Sequence, residues 1–378
     1  MTNTILFLSG ASLVGQNVLQ ALHGRRSSLK LVATNSLPSD PSLPDFDSVV
    51  MVPQTQSAPE GFDAIIEHLI DDQKPSLTIP CRDDDVVALA RLASRRPDLA
   101  PRLLCGSNEA AIATVDKWAS WEFSRAWDLP FVPTIVPDCR EAVENFAATH
   151  GFPLLVKPRQ GFASRGVSII LNANQLPAVT GHDAFLLQRY IGDPVAVSDY
   201  VNSILTQGVP LFHSFESVKH SYQAMIGQDG AIIGEFATDH LMSQGISNRV
   251  SPSEAPELLA LGKQCAVAFA NAGWRGPLNV QCQRTPDGEL LIYEFNGRFT
   301  GATAARTLLG YDEASLALAH FAQLDLPRLS NDRARCVIKQ PVSRMMNPEI
   351  QNRLETCGVW NRASTPSIDK TTSLAQSS

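Results

Sequence analysis

The chain of 378 residues has no CxxC pair among its seven cysteines, which removes the zinc-ribbon reading and leaves no disulfide framework to build on. Those cysteines, at 81, 105, 139, 265, 282, 336 and 357, are scattered and odd in number, so a reducing compartment fits best. The chain also lacks an excess of basic charge. Its 31 Lys and Arg stand against 38 Asp and Glu, a net charge of −7, which argues against a general nucleic-acid or anionic-membrane partner. No apolar run approaches a membrane span. The opening "MTNTILFLSGA" has no basic start, so it reads as a first strand rather than a signal peptide. A cytoplasmic location is the expectation. Internal repeats are also absent.

What is there is an ordinary globular mixture, 44 % apolar and 18 % charged, long enough for two or three domains. The first third alternates strand and helix. "ILFLSG", "LKLVATN", "PSLTIPC" and "RLLCGS" read as strands. "SLVGQNVLQALHG", "GFDAIIEHLIDD" and "DDVVALARLASRR" read as helices. Short connections between them predict a doubly wound parallel sheet over residues 1–110.

A second unit, 111–191, begins with a predicted helix over "NEAAIATVDKWASWEFSRAWDLP", stopped by two prolines. "REAVENFAATHG" is a further helix, "FPLLVKPRQGFASRGVSIIL" a hairpin and "AFLLQRYI" a strand. A third unit, 192–330, contains the strand "GAIIGEFATD", a helix over "SEAPELLALGKQCAVAFANAG" that starts from a serine cap, and the hairpin "PLNVQCQRTPDGELLIYEFN". Pro-Asp-Gly supplies its turn. Residues 331–378 form an extension whose polar end reads as disordered.

Two glycine loops invite comparison. "GASLVG" (Gly10–Gly15) follows a strand and precedes a helix. It has Ser12 where a dinucleotide fingerprint needs its middle Gly, and no acid follows the second strand. Nor does it have the Lys-Ser/Thr of a phosphate loop. It reads as a tight turn, with substrate contact at the helix N-terminus as the other possibility. The second loop follows Lys157 and contains Gly161, Ala163, Ser164 and Gly166, flanked by Arg159 and Arg165. Small residues let backbone N–H groups approach an anion, and the cations suit a polyphosphate. An ordinary basic hairpin tip is the plainer reading.

"LIYEFNGRFTGA" (Leu291–Ala302) ends a strand with Glu294, Asn296 and Arg298 at alternate positions, hence on one face. The Pro-Asp-Gly turn brings Gln281 opposite. One carboxylate and two amides are hard oxygen donors, enough for Mg²⁺ that completes its shell with water and phosphate. Arg298 and Arg306 would face the same anions.

In this order, "TVDKWASWEFSRAWDLPFVPT", the Lys157 hairpin, "LLQRYIGDPVAVSDYV" and "GPLNVQCQRTPDGELLIYEFNGRFTGATA" resemble the ATP-grasp superfamily. The likeness is to the branch of carbamoyl-phosphate synthetase large subunits and amino-acid ligases, and it spans about residues 114–304. The resemblance implies an α/β fold: a Rossmann-like first domain (1–110), a lid subdomain with a glycine flap (111–191), and a catalytic subdomain with a magnesium site (192–330). It implies ATP and Mg²⁺ as cofactors. Lys117 and Lys157 would contact phosphates, and Arg159, Gly161, Ser164 and Gly166 belong to the flap region. Gln188, Arg189, Tyr190 and Ile191 would hold adenine. Gln281, Glu294 and Asn296 match the metal ligands, and Arg298 an arginine near the transferred phosphate. Arg189 stands where the family has Glu. Asp193 replaces the usual ribose acid only if the loop is shifted.

The implied reaction activates a small carboxylic acid as an acyl phosphate and couples it to an amine, with Lys157 and Arg298 catalytic. Lys219, Arg249 and Arg306 are candidates for holding a substrate carboxylate. His213, His220 and His240 are candidates for proton transfer. A homodimer is possible. Alternatives are an enzyme that phosphorylates carbamate or another acid without forming an amide, a non-catalytic nucleotide-binding protein, and a nicotinamide-dependent oxidoreductase suggested only by "GASLVG".

Overall fold

A computed structural model describes residues 3–55, 57–161, 165–210, 213, 215, 218–243, 246–327, 329 and 335–362. The first sheet forms because its strands are apolar on both faces, as a parallel sheet covered on two sides requires. It contains β1 (Asn3–Leu8), β2 (Leu29–Asn35), β3 (Ser48–Met51) and β4 (Leu77–Pro80), with α1 (Leu13–Ala21), α2 (Pro59–Gln73) and α3 (Asp83–Arg95) between them. Along β1, Ile5 and Phe7 enter one core and Leu6 and Leu8 the other. The expected fourth strand at "RLLCGS" is only a bridge, Thr78 to Leu103. The strand that the sequence concealed is β3, four residues long.

The middle of the chain holds α4 (Asn108–Ala113), α5 (Lys117–Ala126), β5 (Thr134–Ile135), α6 (Arg140–His150), β6 (Leu154–Pro158), β7 (Ser168–Ile170) and β8 (Phe185–Arg189). The single helix expected across residues 108–130 is two. Asp116 ends the break between them by accepting from the N–H groups of Trp118 and Ala119, so Lys117 stands at the first turn of α5. The four strands form an antiparallel sheet in the order β5-β8-β6-β7.

The third sheet is antiparallel, in the order β13-β12-β9-β10-β11-β14. It follows α7 (Pro194–Gln207), a helix not foreseen from sequence. It comprises β9 (Val218–Ile226), β10 (Ile232–Ser243), β11 (Ile246–Pro252), β12 (Gly276–Arg284), β13 (Leu290–Asn296) and β14 (Val337–Ile338), interrupted by α8 (Pro256–Asn271), α9 (Thr303–Leu308) and α10 (Glu313–Ala322). Helix α8 starts at Ala255 without a side-chain cap, so the serine expected there is not used. One sheet face buries Tyr222, Ala224, Leu278, Val280 and Phe295 beneath α8. Gly262 lets α8 settle onto the Tyr222 ring, where a Cβ would collide. The opposite face is polar where β9, β12 and β13 meet, while Phe236 and Val250 make it apolar farther along the sheet.

The chain then returns to its start. After α11 (Pro348–Cys357), β15 (Val359–Asn361) pairs antiparallel with β3, giving the first sheet the order β15-β3-β2-β1-β4. Trp360 and Leu354 join the core of that sheet. The 331–378 extension is therefore in part an edge of the first domain. No helix among the described residues is long and apolar enough to cross a membrane.

Candidate active site

The polar face of the third sheet is built from cross-strand pairs. Glu294 lies opposite Gln281, and Asn296 opposite Asn279. Beyond them on β9 stand Ser221, partnered with Gln281, and Gln223, partnered with Asn279. Strand alternation sends Phe295, Val280 and Tyr222 into the core and leaves these side chains on the other face. The register slips between Gln281 and Cys282, where β13 advances two residues against one. Tyr293 is the extra residue, and the bulge re-aims it. Its hydroxyl donates to Gln281 Oε1 at 2.8 Å.

Three lysines converge on Glu294. Lys117 Nζ is 3.9 Å from Glu294 Oε1 and donates to Gly161 O at 3.1 Å. Lys157, at the end of β6, is buried and donates to Tyr293 O at 3.3 Å. Lys219, on β9, lies 5.0 Å from the centre of the Tyr293 ring. Burial pulls the Lys157 ammonium down to about 7; Glu294 opposes this, while Lys117 and Lys219 add to it. Burial also lowers Lys219, again against Glu294. One carboxylate thus faces three ammonium groups, two of them desolvated. This is a local cation excess that suits a polyanion.

Among the described residues Glu294 has no closer partner than Lys117, and Asn296 Nδ2 is buried without one. Gln223 is wholly buried with neither amide atom bonded. No group of three His, Cys, Asp or Glu capable of holding a metal occurs among the described residues. A carboxylate flanked by two amides fits a Mg²⁺ ion that keeps water and phosphate oxygens in its shell, not an all-protein cage.

Other expected residues are placed differently. Arg306, expected to hold a substrate carboxylate, is fully buried and bonds Glu313 Oε1 through Nε (2.9 Å) and Nη2 (2.6 Å). Arg249 is exposed on β11, between β10 and β14, with its Nε 3.1 Å from Cys336 Sγ. Asp193 is an exposed cap that accepts from Val195 N, so its carboxylate holds α7. Gln188 turns its side chain inward, donating to Thr134 Oγ1 at 2.7 Å. Arg189 reaches Glu289 at 3.3 Å, Tyr190 packs over Gly192, and Ile191 O accepts from Gln283. Arg159 pairs with Asp116 at 3.0 Å, tying the flap stem to α5. Gly161 and Gly166 adopt positive φ (144° and 72°), as the turn requires. Ser164 lies outside the described residues.

Each of the three candidate histidines has partners of its own. Burial, with Arg306 and Lys339 nearby, pushes His240 down to about 3. Its ring nitrogens are occupied by Thr238 and Ser247. His220 pairs with Asp239, and His213 stacks on Tyr200.

Arg298 is held from the first domain. Its Nε and Nη2 meet Asp83 Oδ1 and Oδ2 at 2.6 and 3.1 Å. The "GASLVG" turn is a packing device: Gly10 lies against Phe46 and Ala33, Gly15 against the Gly10 carbonyl, and Ser12 caps α1. Asp83, Tyr293, Ser221 and Gln223 were missed. Asp83 lies in the acidic run "RDDD", a signal visible in sequence but unassignable without the fold.

No protein-family model matches the chain. Over 213 residues it is 24 % identical to the vancomycin C-type resistance protein VanC2 of Enterococcus casseliflavus, a match covering 52 % of this chain and 55 % of that protein. The chain thus spans about half the length of the curated relative it matches. Among solved structures, it is similar to N5-carboxyaminoimidazole synthetase from Staphylococcus aureus complexed with ADP (TM-score 0.65, 13 % identity, 86 % of this chain and 79 % of that one). It is also similar to biotin carboxylase from Campylobacter jejuni in a β,γ-ATP complex (TM-score 0.61, 14 % identity, 86 % and 72 %). These likenesses concern the fold.

Proposed function

We propose that this chain, which has the ATP-grasp fold, is an ATP-dependent carboxylate–amine ligase that releases ADP and phosphate. The observation that carries the proposal is the convergence of Lys117, Lys157 and Lys219 on Glu294, beside Gln281 and Asn296. Such a wall neutralises and positions phosphates while offering no nucleophile–base pair, as phosphoryl transfer needs.

In this reading Mg·ATP is the nucleotide substrate, with Glu294, Gln281 and Asn296 holding the metal, which would neutralise charge on the phosphate oxygens. Lys117 and Lys157 bind phosphate oxygens from the flap side, and the glycine turn excludes water when it closes. A carboxylate oxygen of the acid attacks the γ-phosphorus as the bond to the β-phosphate oxygen breaks, giving an acyl phosphate and ADP. The amine then attacks the acyl carbon, phosphate leaves, and the amine proton passes to solvent or phosphate. Neutral His240 takes no part.

The test is ADP release by the full chain over a panel of amino acids and small carboxylates, with and without an amine. Joint formation of ADP, phosphate and amide supports the ligase. ADP formation with hydroxylamine trapping but no amide favours acid phosphorylation alone. Tight ATP binding with no turnover across the panel would overturn the enzyme reading.

A further inference from the structure

The turn after β13 is crossed by a strap from the C-terminal part of the chain. β14 pairs with β11, and Lys339 continues the contact with its N–H on Asn248 O at 2.8 Å. The half-buried Lys339 side chain points inward, its Nζ donating to Gly301 O at 2.7 Å. Further on, Arg344 reaches the first domain, pairing with Asp45 at 2.5 Å and donating to Gln16 Oε1 at 3.2 Å. The strap joins the sheet edge, the turn beside the candidate site and the N-terminal turn of α1.

Cations around this turn differ in how they are compensated. Arg298 has Asp83 and Arg306 has Glu313. Among the described contacts, Lys339 has only a carbonyl oxygen. Burial and the neighbouring Arg306 both disfavour its charge. Arg306 itself keeps one buried nitrogen, Nη1, without a partner. Two cations near one another, one lacking a carboxylate and the other with an unmet donor, are a costly arrangement in a folded protein. An incoming anion would relieve it.

We propose that Lys339 is the counter-ion for a second anionic group on the non-nucleotide substrate, so that the enzyme selects a small acid bearing a carboxylate or phosphate besides the group it activates. This rests on the ligase reading above: the activated carboxylate lies at the γ-phosphate held by Lys157, and the second anion meets Lys339 across the Gly301 turn. A charge-assisted hydrogen bond of this kind corresponds to roughly 10- to 100-fold in affinity.

The experiment is titration calorimetry on the full chain with Mg·ADP present, using glycine, alanine, aspartate, glutamate, succinate and O-phosphoserine as probes. The expected result is that at least one probe with two anionic groups binds about 10-fold or more tightly than glycine and alanine. Carboxylate and phosphate probes separate the two anion sources. Lys339→Gln, which keeps a donor for Gly301 O but loses the charge, should abolish the preference; Lys339→Arg should keep it. Mg·ADP affinity should be the same in all three proteins, which also reports folding. Retention of the preference in Lys339→Gln, or no preference in the parent chain, overturns the proposal. Failure of the parent chain to bind Mg·ADP overturns the nucleotide reading as well.

Discussion

Arg298 and Asp83, 215 positions apart, meet in a two-point ion pair between the turn after β13 and the first turn of α3. The pair is mostly shielded, with side-chain exposures of 13 % and 26 %. Planar two-point pairing fixes the guanidinium's direction as well as its position. Asp83→Asn should leave Arg298 charged but loosely aimed. The expected outcome is a fall of about 10²-fold in kcat with KM for ATP changed little. An unchanged kcat in steady-state assays would refute a positioning role for Asp83.

Glu294→Gln removes the one carboxylate on the wall while preserving its shape. ADP formation should fall by at least about 10²-fold, and added Mg²⁺ should not restore it. Full activity in this variant would sink the metal assignment.

Lys157 makes nucleotide binding pH-dependent in a definite direction. Its pKa is about 7 in the free protein, so the side chain is mostly neutral near pH 8.5, and phosphate contact favours the charged form. Binding of Mg·ADP at that pH should take up about one proton, measurable by calorimetry in buffers of different ionisation enthalpy, and Lys157→Met should remove most of the uptake. The same depression has a stability consequence. Between about pH 7 and the ordinary lysine value near 10.4 the unfolded chain binds a proton that the folded chain does not. The ligand-free protein should therefore gain stability from this group as pH rises through that window.

Arg306→Met should act on stability, since it strands Glu313, which is also fully buried. The expected loss is about 3–5 kcal/mol in denaturant unfolding. Replacing both partners with apolar residues of similar volume should recover much of it. A raised KM in a single variant of normal stability would restore Arg306 as a substrate contact.

What could be read in advance was local. The Pro-Asp-Gly hairpin and the strand after it sit within about twenty residues, so Glu294 and Gln281 could be paired from spacing alone. The same holds for the Lys157 hairpin. What could not be read depended on distant partners. The Tyr293 bulge exists only relative to β12, and β3 is too short to show a period. Arg306 looked like a free cation because the carboxylate that neutralises it is seven positions on, past the turn at Gly310. Asp83 looked like one of three equivalent acids until the fold set Arg298 against it.

The return of Val359–Asn361 to the edge of β3 has a consequence for biosynthesis. Until those residues leave the ribosome, the N-terminal sheet has an unpaired flank of backbone N–H and C=O groups, and Trp360 is missing from its core. The domain made first is thus the last to be sealed. A nascent chain stalled before residue 359 should present an adhesive edge to chaperones or to its neighbours on the same message.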